Sequence, residues 1–120
     1  MAVAVKHIAF FAYSVSDMAR ARGFYEGLLG LQRAPHCHDE WIEYVTAGGT
    51  LAISNLFTED VAPGSCSGLA FEVVDIDAAF AELKAAGVPV RREPFETGVC
   101  KMGVVTDPDG NSLVIHQSTR

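Results

Sequence analysis

Residues 68–87, Gly-Leu-Ala-Phe-Glu-Val-Val-Asp-Ile-Asp-Ala-Ala-Phe-Ala-Glu-Leu-Lys-Ala-Ala-Gly, decide the fold. Gly68–Val74 is a short apolar run of strand length. Asp75 or Asp77 then supplies a carboxylate for the free N–H groups of a first helical turn. Ala79, Phe80, Leu83 and Ala86 form one helical stripe, Gly87 suits the left-handed closing residue, and Pro89 acts as a stop signal. The same grammar stands upstream. His7–Tyr13 reads as a strand and Ser16 or Asp17 as a cap, while Met18, Ala21, Phe24, Tyr25, Leu28 and Leu29 make a stripe that ends at Gly30. The two runs start 61 residues apart, about half the chain, so the sequence predicts two similar half-domains and not a solenoid.

Working outward, strand-like segments follow each helix. In the first half these are Trp41–Ala47 and Thr50–Phe57 around the Gly48-Gly49 turn, with an extended piece near Gln32–His38. The second half offers Val90–Arg92, Lys101–Thr106 and Ser112–Gln117, with Asp107-Pro108-Asp109-Gly110-Asn111 as a tight turn. Each half therefore reads strand–helix–strand–strand–strand. The expected architecture is α+β: one domain over residues 1–120, with a first βαβββ module at about 1–58, a linker at 59–67 and a second module at about 68–120. Together the modules would form an open, cup-shaped sheet of about eight strands with the helices outside.

Bulk composition limits the function. The 120 residues are 49% hydrophobic and 20% charged, and nine basic against fifteen acidic residues leave a net charge of −6. Basic residues are single or paired, with no stripe that could track phosphates or an anionic bilayer, so nucleic-acid and membrane partners are disfavoured. No apolar run approaches the roughly 20 residues of a membrane span, and residues 1–7 lack the basic and apolar regions of a signal peptide. Cys37, Cys66 and Cys100 are odd in number and irregular in spacing, which fits a reducing, cytoplasmic setting.

The opening stretch KHIAFFAYSVSDMARARGFYEGLLGL resembles the first βα unit of the glyoxalase/bleomycin-resistance/extradiol dioxygenase superfamily, the vicinal oxygen chelate fold. FEVVDIDAAFAELKAAGV, ending in DPDGNSLVIHQ, is similar to that family's second module. The resemblance implies paired βαβββ modules, a cup, and commonly a homodimer. It also implies, in metal-dependent members, four ligands drawn from the first and last strands of each module, typically His, Glu, His and Glu. Carried over, those positions are His7, Ala52, Gly68 and Val114. Alanine, glycine and valine offer no donor to a divalent cation, so no metal cofactor is expected.

Strand alternation gives further candidates. If His7 faces the cup, Ala9 and Phe11 follow it; if Gly68 and Val114 do, so do Glu72 and His116. His7, Glu72 and His116 could act as general acid and base, bind a polar ligand group, or form a non-standard metal set; Glu72 and His116 could equally be solvated at a rim. Phe11, Trp41, Tyr44 and Phe57 could wall an aromatic ligand; the resemblance implies that the segment of Cys100 and Met102 borders the cup, and a structural role is the other reading of Cys100. His36 and His38 face one way in an extended chain but lack a third donor. The leading expectation is a metal-independent protein that binds a small organic molecule. The alternatives are a glyoxalase-like lyase, isomerase or dioxygenase using His7 with Glu72 or His116, and an interaction module whose cup is filled by its own side chains. Ala9, Ala52, Gly68 and Ala70 are small, which argues against a filled cup.

Overall fold

The computed structural model describes residues 2–119; Met1 and Arg120, at the outer ends of the two expected modules, lie outside them. The first module contains β1 (Phe11–Ser14), α1 (Met18–Arg22) continuing into a π-helical stretch (Gly23–Leu28), β2 (Trp41–Thr46) and β3 (Gly49–Ser54). The second contains β4 (Leu69–Glu72), α2 (Ile76–Ala85), β5 (Val90–Glu96), β6 (Cys100–Thr106) and β7 (Ser112–Ser118). Their sheets run β1-β3-β2 and β4-β7-β6-β5, with β1–β3 and β4–β7 parallel and the other pairs antiparallel. The two sheets do not close on each other and leave an open cup.

The helices start where their caps dictate. Asp17 accepts from Arg20 N at 3.0 Å and Asp75 from Ala78 N at 3.1 Å, each cap contributing about 1 kcal/mol. In the first module, Leu29 N donates to Phe24 O, five residues back, which widens the last turns into the π form. Gly30 (φ 71°) and Gly87 (φ 80°) then take the left-handed conformation that turns the chain back towards its sheet. Both helices cover the same side of the sheets. One continuous core lies there, including Tyr13, Tyr25, Ile42, Tyr44, Leu51 and Ile53 from the first module and Ile76, Phe80, Leu83, Val105, Leu113 and Ile115 from the second. Among the described residues no helix is long and apolar enough to cross a membrane.

The Asp107–Asn111 turn also ties the modules together. Tyr25 Oη donates to Asp107 Oδ2 at 2.7 Å, and Asn111 Nδ2 donates to Ser14 O at 2.9 Å and to the same Asp107 oxygen at 2.8 Å. Asn111 Oδ1 accepts from the backbone N–H groups of Gly64 and Cys66. Tyr13 Oη donates to Ser112 O, and Asp109 takes hydrogen bonds from Ser16 and Arg20. Burial and the facing Asp107 carboxylate push the Tyr25 hydroxyl far above its ordinary range, keeping it a neutral donor.

Two expectations are corrected. The first strand begins at Phe11, not His7, and residues 2–10 form an exposed arm. The parallel partner limits the strand: Phe11 lies opposite Leu51 and β3 begins at Gly49, so in this register His7 falls opposite Ala47, before β3 starts. Seven strands, not eight, are formed among the described residues. The eighth position is occupied by the segment near Gln32–His38, which makes only two isolated bridges, Arg33 to Tyr44 and His38 to Trp41. Pro35 removes a ladder donor there, and Cys37 Sγ bonds back to Ala34 O at 2.7 Å, curling the chain out of strand geometry.

Candidate functional site

Partners in register share a sheet face, so the core residues define the opposite, concave face. In the first module Leu51 and Ile53 belong to the core, hence Thr50, Ala52 and Ser54 face the cup. Ala12 and Ser14 lie beside Ala52 and Ser54, and Trp41, Glu43 and Val45 lie across from Ser54, Ala52 and Thr50. In the second module the corresponding set is Ala70 and Glu72, Val114 and His116, and Met102 and Val104.

The phase of β1 is thus the reverse of the expected one. Phe11 and Tyr13 lie on the core side beside Leu51 and Ile53, and Ala12 is the residue that faces the cup. Phe11 stays 44% exposed and lines a cleft of about 230 Å³ with Gly49, Leu69 and Phe71, at the junction of the two modules. His7 stands on the arm with Nδ1 3.2 Å from Ile8 O. It is not brought to Glu72 and His116, and among the described residues no three His, Cys, Asp or Glu side chains converge as a metal set.

Glu72 and His116 do meet. Facing in register on β4 and β7, they place His116 Nδ1 2.5 Å from Glu72 Oε1, while Ser118 N donates to Glu72 Oε2 at 2.7 Å. The Ser118 N–H, and secondarily the His116 imidazole, hold the Glu72 carboxyl below its ordinary range. The pair is open to solvent and orients the imidazole for binding or proton exchange. Met102 sits opposite His116 in the antiparallel ladder. Cys100, two residues away on the same face, is buried with Sγ 3.0 Å from Thr97 Oγ1, and this burial withholds it from a ligand.

A second cluster occupies the first module. The Trp41 and Phe57 ring centres are 6.3 Å apart, and Phe10 meets Trp41 edge-on at 5.1 Å. Trp41 Nε1 donates to Glu43 Oε2 at 2.9 Å. Sequence reasoning reached Trp41 and Phe57 but passed over Phe10 and Glu43, although the Trp41-Ile42-Glu43-Tyr44 alternation already put Trp41 and Glu43 on one face. Tyr44 belongs instead to the core, its hydroxyl donating to Glu26 at 2.8 Å and raised well above its ordinary range by burial and that carboxylate. The His36/His38 stretch is exposed, with His38 Nδ1 accepting from Glu40 N at 3.3 Å and His36 Nε2 3.8 Å from Glu43 Oε1.

Two further clefts open on the helix side. One of about 460 Å³ lies between the π-helical stretch and the end of α2, and one of about 250 Å³ lies between Leu28 and Leu83. The charged groups of the larger, Arg20 and Asp107, are already spent on the inter-module knot. The concave face, which carries the Glu72–His116 pair and the Trp41 ring cluster, is the better candidate.

The family model described as the Glyoxalase/Bleomycin resistance protein/Dioxygenase superfamily matches residues 5–115. The chain belongs to this superfamily. It is similar to the solved structure of TnmS3, an antibiotic-binding protein from Streptomyces sp. CB03234, with 30% identity and a TM-score of 0.80 over 98% of this chain and 100% of that one. A glyoxalase/bleomycin resistance protein from the same organism is 31% identical, with a TM-score of 0.76 over 90% of this chain and 97% of that one. A glyoxalase-related enzyme from Fulvimarina pelagi is 25% identical, with a TM-score of 0.75 over 95% and 89%. No curated protein sequence gives a significant match.

The superfamily's metal-ligand pattern does not fit these residues. In three dimensions Phe11–Ser14 corresponds to Leu69–Glu72 and the cap Asp17 to Asp75, a spacing of 58 residues and not 61. The counterpart of Gly68 is therefore Phe10, not His7. The four positions become Phe10, Ala52, Gly68 and Val114, a set of side chains with no donor atom for a divalent cation.

Proposed function

We propose that this superfamily member is a metal-independent binder of a small organic molecule held on the concave face of the cup. The observation that carries the reading is the replacement of the whole donor set by Phe10, Ala52, Gly68 and Val114 while aromatic rings and polar groups still line the same face. The full-length similarity to an antibiotic-binding protein supports the same conclusion. The Phe10–Trp41–Phe57 rings supply flat apolar walls, as expected of a ligand site. Homodimerisation belongs to this reading, because Val3, Val5 and Ile8 on the arm are 89%, 82% and 74% exposed and a second copy would cover them. Three free thiols suit a reducing cytoplasm.

The test is a thermal-shift screen of aromatic antibiotics and related compounds, with Trp41 fluorescence as the second readout. It is run beside titrations of chelator-treated protein with Ni²⁺, Zn²⁺ and Mn²⁺. The expected result is saturable stabilisation by an organic ligand, undiminished by chelator. Stoichiometric, tight metal binding would overturn the metal-free reading.

One observation favours a second reading. The Glu72–His116 contact has the arrangement of a carboxylate orienting an imidazole for general-base work. A lyase, isomerase or dioxygenase reaction built on it would lose its rate in His116→Gln while the protein stayed folded.

A further inference from the structure

Glu43 sits awkwardly for a carboxylate. It projects from the concave face of β2 opposite Ala52, and its side chain is only 27% exposed. An ionised group so placed is stable when a cation or several donors face it. Its strand neighbours on that face are Ala12, Ser14, Trp41, Val45, Thr50, Ala52 and Ser54, none of them basic. One oxygen accepts from the Trp41 indole; the other has only the exposed His36 ring at 3.8 Å. The second module does the opposite: its concave carboxylate, Glu72, is saturated by a backbone N–H and an imidazole. Its concave cation, Arg92, which lies opposite Val104, is stacked 3.7 Å above the Phe95 ring.

Beside Glu43 stands the Trp41 indole, and Phe10 and Phe57 pack in turn against that indole. A carboxylate at the border of an aromatic cluster attracts a diffuse, weakly hydrated positive charge, by Coulomb attraction to the acid and by the quadrupoles of the neighbouring ring faces. A bare metal ion would need more oxygen donors, and an anion would be repelled. We infer that Glu43, Trp41, Phe10 and Phe57 form a subsite for the cationic head, a tertiary or quaternary ammonium, of an organic ligand. The inference rests on the small-molecule reading above and adds to it the charge of the ligand. The mild net charge of −6 would favour approach of the same ligand class.

Trp41 is the only tryptophan, so its indole N–H gives one resolved cross-peak in a ¹H–¹⁵N spectrum, and that N–H is the group bonded to Glu43. The full chain is titrated at pH 8. The probes are (2-naphthylmethyl)trimethylammonium and its uncharged isostere 2-neopentylnaphthalene. The expected result is a saturable indole shift with the ammonium probe and at least tenfold weaker binding of the isostere. Glu43→Gln, whose amide oxygen still accepts from Trp41, should erase that preference while melting like the wild type. Phe57→Leu, which keeps the carboxylate, should weaken the ammonium probe severalfold. Equal binding of the two probes, or a preference that survives Glu43→Gln, overturns the cation subsite and leaves the small-molecule reading standing. No indole shift with either probe also overturns the subsite. The broader reading then stands or falls on the antibiotic screen, which does not depend on ligand charge.

Discussion

The two modules share one backbone plan and use their concave faces differently. Where the second places Glu72 beside His116, the first places Ser14 beside Ser54; where the second has Met102 opposite His116, the first has Trp41 opposite Ser54. The second module therefore carries a self-satisfied polar pair. The first carries an aromatic wall, an under-partnered carboxylate at Glu43 and a buried Ser14 Oγ with no hydrogen-bond partner. The core-facing residues of the paired inner strands are alike, Leu51 and Leu113, Ile53 and Ile115, whereas the inner-face residues differ. The reason is energetic: an altered core residue leaves a cavity or a clash, whereas an altered cup residue mostly changes what can be bound.

The largest expected effect concerns what joins the modules. Asn111→Ala strips a fully buried amide that serves Ser14 O, Asp107, Gly64 N and Cys66 N at once. It should lower the unfolding free energy by about 3 kcal/mol in urea titrations. A loss under about 1 kcal/mol would mean that the modules hold together without this turn.

The next prediction compares the same place in both sheets. Gly103 of β6 corresponds to Ile42 of β2, and a Cβ there would come within 2.5 Å of the Phe80 ring and 2.9 Å of Arg92 O. Gly103→Ala should cost about 2 kcal/mol from overpacking, against about 1 kcal/mol for Ile42→Val in the first module. Equal costs in chemical denaturation would erase the claimed difference in how the helices seat on their sheets.

Smaller still is the effect of Ser14→Ala. Removing a buried hydroxyl that has no partner should leave stability unchanged or raise it by up to about 1 kcal/mol, seen as an equal or higher melting temperature. A clear destabilisation would show that the Ser14 hydroxyl already has a structural role.

The smallest effect is the pH dependence at Glu72. Its folded pKa lies below the unfolded one because the Ser118 N–H and His116 favour the carboxylate. Its contribution to stability is therefore present above the ordinary carboxylate range and lost as pH falls through the folded value. Melting curves of wild type and Glu72→Gln should differ slightly at neutral pH and converge in acid. A gap that widened on acidification would reverse the assigned sign.

Much of this was legible from residue order. The caps at Asp17 and Asp75, the helical stripes, the closing glycines and the Gly48-Gly49 hairpin are local devices, and local signals survive in a linear reading. The phase of β1 was not legible. His7–Tyr13 has no alternation of apolar and polar residues, so either face could be the inner one. Only pairing with Leu51–Ser54 decides it, and that pairing moves His7 out of the cup and puts Phe10 in its place. The Asp107–Asn111 stretch was readable as a turn, but its role as the knot between modules depends on Tyr25 and Ser14, 82 and 97 residues away.

By itself, the sequence determined the repeated strand–helix grammar, the charge, and the absence of donors at Ala52, Gly68 and Val114, because each is a property of residue identity or short-range spacing. Tertiary structure alone decided which side of each strand is the inside, that Glu72 meets an imidazole, and that Glu43 meets the Trp41 indole instead. Those facts are set by which strand lies beside which, and a single residue of register exchanges the two faces of a sheet.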